Sequence, residues 1–285
     1  MLKSCERGNW LCSRIFLNRN NIDVAFIGSS RTITAVNDSI IEHLLSEDQP
    51  VNAANLGFCR LGRTLDFTLI KDILKAHHPK IIVMEVQELE DRFSHPDFPY
   101  AADIGDVIFP ELLFNQNYFD NLFVAVQCRF FYHRDKILSN QPEYAESDIL
   151  KNHGYFPRAV TADTNALKAI KIKREEKVSR VIPENDFQKW GYRIKYRFAK
   201  QYIAKCSLLA AQHHAKLVFL YIPNYGSPLK KPLEFEFYEK YGEVLLPPDS
   251  VFSNPSHWGD TDHFNSNGAD ELSEWVAGRL SALLK

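Results

Sequence analysis

No apolar run in this sequence approaches the roughly 18 residues that a bilayer-spanning helix requires. The longest, within Lys80 to Val86 and Leu217 to Ile222, are the size of strands. Ser13 and Arg14 interrupt the stretch from Trp10 to Leu17, which reads as neither a secretion signal nor an anchor. Cysteine is scarce. The five residues (5, 12, 59, 128 and 206) are odd in number and form no C-x-x-C pair, so neither a zinc site nor a complete disulfide framework is indicated. There is no G-x-G-x-x-G and no G-K-S/T, so a phosphate cradle at Gly28 to Thr32 lacks its glycine pattern. Internal repeats and low-complexity tracts are absent as well. Neither sign of charge is in excess: 34 basic and 36 acidic residues give a formal net charge of −2. Globally, nothing selects nucleic acid or another polyanion. What remains, 45% hydrophobic and 25% charged residues over 285 positions, is the mix of a soluble globular protein. As written, the chain is expected to be cytoplasmic, and extracytoplasmic if an N-terminal segment has been removed.

Several short apolar runs have the character of buried parallel strands. They are residues 23–27, ending in Gly28-Ser29-Ser30; 51–56, ending in Gly57; 80–86; 215–222, ending in Pro223; and 243–246, ending in Pro247. Helical patterns separate them: Asp38 to Leu45 after an Asn37/Asp38 cap, Thr64 to Ala76, about Tyr192 to Ala211, and Ala269 to Leu284. This alternation predicts an α/β fold, a flavodoxin-like three-layer sandwich with about five mostly parallel strands. Residues 90–190 carry no clear strand and are too many for a simple crossover. They are expected to form a long, mainly helical insertion between strands three and four, capping the carboxyl edge of the sheet. Residues 1–285 then make a single domain.

In open α/β sheets, chemistry collects outside the carboxyl ends of the strands. Strand one ends in Gly28-Ser29-Ser30-Arg31-Thr32, a sharp turn that presents two hydroxyls, although serines there also serve as turn or cap residues. Strand two ends in Asn55-Leu56-Gly57, and strand three in Glu85-Val86-Gln87-Glu88. Before the last helix comes Asp260-Thr261-Asp262-His263. A carboxylate three residues from an imidazole in a loop can fix its tautomer. Together with a serine at the same edge, the pair supplies a nucleophile, a base and an orienting group.

The Gly28-Ser29-Ser30 block, the Gly57 block and the Asp260-Thr261-Asp262-His263-Phe264-Asn265-x-x-Gly268-Ala269 block together resemble the SGNH (GDSL-like) hydrolase superfamily. The likeness is closer to its bacterial branch related to alginate O-acetylation proteins and the D-alanyl lipoteichoic-acid transfer protein. The resemblance implies a serine esterase or O-acyltransferase acting on an ester-bearing saccharide or cell-surface polymer. It implies Ser30 as nucleophile, His263 as general base and Asp260 as its support, with the N–H groups of Ser30 and Gly57 as oxyanion donors. Arg31 and Asn55, beside the first two blocks, are the substrate-binding candidates. The pattern departs at strand three, where the superfamily has Gly-x-Asn-Asp and this chain has no Asn. Gln87 is the substitute amide donor, and losing one donor costs about 10²–10³ in turnover. The acids Glu85, Glu88, Glu90 and Asp91 oppose an oxyanion wherever they point inward. No cofactor is implied.

Three further features carry expectations. His77-His78 and His213-His214 suit helix ends, and His133, His153 and His257 lack ligand spacing, so no metal is assigned. Eleven aromatics between 93 and 132 read mainly as a core between cap and sheet, with a lid over an acyl or sugar groove as the alternative. Residues 168–205 hold twelve Lys/Arg against four acids, interleaved with Trp190, Tyr192, Tyr196, Phe198 and Tyr202. That +8 segment reads first as a solvated face and next as a surface for an anionic glycan or headgroup. Nucleic acid comes third and is not expected. A catalytically degenerate binder of an anionic glycan or envelope partner is therefore the alternative function.

Overall fold

The computed structural model describes residues 6–47, 49–90, 92–108, 115–138, 151–178 and 190–284. Five strands form one all-parallel sheet in the order β2-β1-β3-β4-β5: β1 Val24–Ile27, β2 Ala53–Asn55, β3 Ile81–Glu85, β4 Lys216–Leu220 and β5 Glu243–Leu245. Each lies within its expected run. Val24 sits opposite Ala53 on one side and Ile81 on the other, while Ile81 pairs with Lys216 and Val218 with Glu243.

The continuous apolar strands follow from burial on both faces. Ala25, Ile27, Ile82, Met84 and Phe219 face a layer containing Leu65, Leu69 and Ile73 of helix Arg63–Ala76 and Ile203 and Cys206 of helix Arg197–Gln212. Val24, Phe26, Ile81, Val83 and Val218 face the other way, toward Ile41 and Leu45 of helix Asp38–Leu45 and Leu272, Val276 and Leu280 of helix Ser266–Leu284. Period-2 alternation along each strand thus fills two cores. The result is a flavodoxin-like three-layer sandwich. The expected helix from Tyr192 is two pieces, Trp190–Lys195 and Arg197–Gln212, separated at Tyr196.

The described part of the insertion contains helices Phe98–Ala101, Ile104–Ile108, Tyr118–Leu138 and Thr164–Val178. The described part of the insertion is mainly helical, as expected, with residues 151–163 as an irregular stretch. This stretch is tied down by Asp38, whose fully buried carboxylate accepts from the N–H groups of Asn55 (2.6 Å), Gly154 (2.7 Å) and Tyr155 (3.1 Å). Arg7 binds the same junction, donating to the carbonyls of Asn55, Gly57 and Gly154.

The aromatic segment is not a core between cap and sheet. Phe98 and Tyr118 are buried, but Phe93, Phe119, Phe123 and Phe130 are more than half exposed. Tyr118, Asn121 and Ala125 take the inner face of their helix, which packs on a small cluster of Phe98, Ala102 and Val107, so the alternate face is left outward. Phe109 and Phe114 lie outside the described residues, as does the side chain of Tyr132. In the basic segment the reverse holds: Tyr192, Tyr196, Phe198 and Tyr202 are buried, which removes the interleaved aromatic surface. Lys200 pairs with Glu234 at 2.6 Å. Lys168, Lys171 and Lys173 remain exposed. Arg180, Glu184, Asp186 and Lys189 lie outside the described residues, as do the side chains of Lys177 and Trp190. Among the described residues no helix is long and apolar enough to cross a membrane.

Candidate active site

The turn after β1 is built around a buried carboxylate. Glu85, at the end of β3, is fully buried and reaches under residues 28–32. Its Oε2 accepts from the Ser29 N–H (2.7 Å) and the Thr32 hydroxyl (2.7 Å). The Ser29 hydroxyl donates to the same carboxylate, 2.8 and 3.1 Å from its two oxygens. Arg31 Nη2 lies 2.5 Å from Oε1. Burial pushes the Glu85 carboxyl up, but Arg31, the two hydroxyls and the Ser29 amide outweigh it and hold the group below its usual range. The acid is thus spent on the turn and neutralised by Arg31. Position 28 must be glycine here, because a Cβ would sit 2.1 Å from the Thr32 hydroxyl oxygen and 2.6 Å from the Glu85 Cβ.

This arrangement sorts the two serines. Ser29 is buried and caps helix Ser30–Ala35, accepting from the Arg31 N–H at 3.2 Å. Ser30 carries the free hydroxyl, and its Oγ lies 2.9 Å from His263 Nε2 across 233 residues of sequence. The histidine sits in a tight loop whose ends, Trp258 and Phe264, pair as an isolated antiparallel bridge and are both buried. Within the loop, Gly259 N–H donates to the His263 carbonyl at 2.9 Å. Asp260 turns back on the histidine: His263 Nδ1 is 3.0 Å from both carboxylate oxygens. Oδ1 also accepts from the N–H groups of Asp262 and His263, each at 2.8 Å, and Oδ2 from Arg158 at 2.7 Å. Partial burial raises the Asp260 carboxyl, but the Asp262 amide, Arg158 and His263 together hold it below its usual range. An anionic Asp260 places the ring proton on Nδ1 and leaves Nε2 as the acceptor facing Ser30.

No protein-family model matches the chain, and no curated protein matches it by sequence. The geometry therefore has to be read on its own terms. A hydroxyl, an imidazole and a carboxylate in line, each in hydrogen-bond reach, can deprotonate the hydroxyl as it attacks a carbonyl carbon.

The remaining candidates fall into different places. The Ser30 N–H has no acceptor among the described residues and is an available oxyanion donor. The Gly57 N–H is already directed to Asn55 Oδ1 at 3.1 Å. Asn55 itself is fully buried, and its Nδ2 donates to the carbonyls of Thr32 (2.8 Å) and Val36 (2.7 Å). It holds the turn and is closed to substrate, which corrects its assignment as a binding residue. Gln87 is buried as well, 3% exposed, and lines a small pocket with Arg63, Glu90 and Tyr238. Neither Nε2 nor Oε1 has a hydrogen-bond partner among the described residues. Arg31 splits its guanidinium between Glu85 and the end of β4, donating to the Ile222 carbonyl (3.0 Å) and Asn224 Oδ1 (3.1 Å).

Sequence reasoning missed Arg158 and placed Arg174 on an outer face. Arg174 donates to the carbonyls of Tyr225 (2.6 Å) and Thr261 (2.8 Å) and to Asp262 (2.6 Å), fastening helix Thr164–Val178 to the loop that carries His263. Spacing alone gave no signal for either, since both act across the insertion. Among the described residues no group of three or more His, Cys, Asp or Glu is arranged to hold a metal ion.

Behind the turn lies a buried acidic group. Burial pushes Glu88 and Glu90 up to about 7 and Asp66 to about 6; the Glu234 N–H, which donates to Glu88, opposes the rise there, and Arg63 opposes it at Glu90 and Asp66. The Arg63 Nε lies 3.2 Å from Glu90 without hydrogen-bond alignment. The folded protein therefore binds more protons than the unfolded chain between about pH 8 and 6, so stability rises as pH falls through that window. His153, raised by the Glu42 carboxylate 3.1 Å from its Nε2, acts in the same direction. Buried His77 and His95, both lowered, oppose it below about pH 6.5. The melting temperature is expected to be higher at pH 6.5 than at pH 8, and an equal or lower value contradicts this account.

Proposed function

We propose that the chain is a serine ester hydrolase or O-acyltransferase of SGNH type, acting on an ester-bearing saccharide or cell-surface polymer. The observation that carries this reading is the Ser30–His263–Asp260 line, with 2.9 and 3.0 Å contacts. In the reaction, Ser30 Oγ attacks the acyl carbon while Nε2 takes its proton. The tetrahedral oxyanion collapses, the alcohol leaves with the proton from Nε2, and an acyl-Ser30 ester remains. Water or a sugar hydroxyl, deprotonated by Nε2, then takes the acyl group and restores the serine.

The oxyanion is the weaker half. The Ser30 N–H is free to donate, the Gly57 N–H is shared with Asn55, and the Gln87 amide is buried. Each missing donor is worth about 10²–10³ in turnover, so a slow enzyme is expected. The same shortage favours a second reading, a degenerate binder of an anionic glycan or envelope partner through the exposed lysines 168, 171 and 173. Binding that ignores salt counts against that reading.

A fluorophosphonate probe tests the first reading, because it traps an activated serine without needing the native substrate. Mass spectrometry is expected to find one adduct, mapped to Ser30. An unlabelled wild type, or an adduct elsewhere, overturns the proposal.

A further inference from the structure

A cavity of about 400 Å³ opens at the carboxyl ends of β4 and β5, between residues 221–230, residues 247–253 and helix Thr164–Val178. Its volume falls in the range of small-molecule sites, about 300–1,000 Å³. Tyr221, Tyr225 and Phe252 line it and are each less than a tenth exposed. The helix closes tightly on the loop at Gly226, whose φ is +68° and whose hydrogen faces the Lys171 backbone; a Cβ there would lie 2.8 Å from the Lys171 Cα.

The cavity is coupled to the candidate active site on two sides. Asn224 lines it and accepts through Oδ1 from Arg31, the residue after Ser30, which leaves its amide N–H groups to donate. Tyr225 donates its N–H to the Thr261 carbonyl at 3.3 Å, and Arg174 bridges both residues.

Its lining also narrows the ligand. Lys171, Glu175, Lys230 and Asp249 stand around it, and none has an ion-pair or hydrogen-bond partner among the described residues. Two cations and two carboxylates cancel, so the cavity does not select a polyanion. All four are exposed, so the cavity mouth is ringed by charge, a poor match for a purely apolar acyl chain. A pyranose ring meets both demands, with C–H faces against the aromatic rings and hydroxyl edges toward donors and acceptors.

We propose that this cavity binds an uncharged pyranose unit, the alcohol side of the ester handled by Ser30. The proposal rests on the esterase reading of that serine. Saturation-transfer NMR on the full chain tests it with methyl β-glucopyranoside, methyl N-acetyl-β-glucosaminide, methyl glucuronide and hexanoate. The uncharged glycosides are expected to bind. Ser253→Trp, which puts an indole into the cavity from its exposed rim, is expected to weaken them at least about tenfold, and Lys171→Ala to weaken them as well. Binding of only hexanoate or only the glucuronide overturns the assignment, as does glycoside binding unchanged in both variants. The two failures are separable: a chain that labels at Ser30 but binds no glycoside loses the cavity proposal, and one that binds glycosides through the cavity but never labels loses the esterase reading.

Discussion

Replacing His263 with alanine is expected to lower kcat/KM toward p-nitrophenyl acetate by about 10⁴–10⁶-fold. The reason is the 2.9 Å contact between Nε2 and Ser30 Oγ: among the described residues, no other side chain is hydrogen-bonded to that hydroxyl. Ser30→Ala should cost a similar factor, and the double variant little more than either alone, because the two groups act as one unit. Asp260→Asn should cost less, since the Asp262 and His263 amides still hold the loop while the tautomer is disturbed. Steady-state hydrolysis by the four variants measures this directly. Additive losses, or a His263→Ala variant within tenfold of wild type, would show that the line of residues does not act as a triad.

Glu85→Ala is expected to be the most destabilising single change at the site. It strips one partner from a largely buried ion pair and leaves the Ser29 amide and two hydroxyls without their acceptor. Breaking such a pair from one side costs about 3–5 kcal/mol, which lowers Tm by on the order of 10 °C in a chain of this size. Glu85→Gln keeps the volume and one acceptor oxygen and should fall between the two. Calorimetry reads the result, and a Glu85→Ala variant melting within 2 °C of wild type would show that the carboxylate does not organise the turn. In variants that stay folded, fluorophosphonate labelling should also slow, because Glu85 anchors Ser29 and Arg31 on either side of Ser30.

The strands and most helices were legible because their signals are local. Residues 24–27 and 81–85 are apolar at every position, which only burial on both faces explains, and turn residues close each run. The Asp260-x-x-His263 pair was equally legible, since both groups sit in one short loop. The insertion was legible mainly as an excess of length. Its helix Tyr118–Leu138 turns Phe119, Phe123 and Phe130 outward, a choice that depends on which face packs against Phe98 and Val107.

The roles of single polar residues are a different matter. Asn55, Gln87 and Glu85 all stand at strand ends, where side chains usually meet ligands, yet all three are buried. For Asn55 and Glu85 the inward turn is met by backbone carbonyls, amides, hydroxyls or a cation from residues about 20 to 56 positions away, whereas Gln87 is buried without a hydrogen-bond partner among the described residues. The sequence by itself determined the order of strands and helices, the hydroxyl at the first strand end and the carboxylate–imidazole pair before the last helix, because each rests on contacts within a few residues. Only the tertiary structure decided that the Ser30 hydroxyl lies within hydrogen-bond reach of His263 while Ser29 turns to Glu85, that Arg158 supports Asp260 and that Glu85 is neutralised by Arg31. Those are pairings across 233, 102 and 54 residues, and only the folded sheet brings their partners within 3 Å.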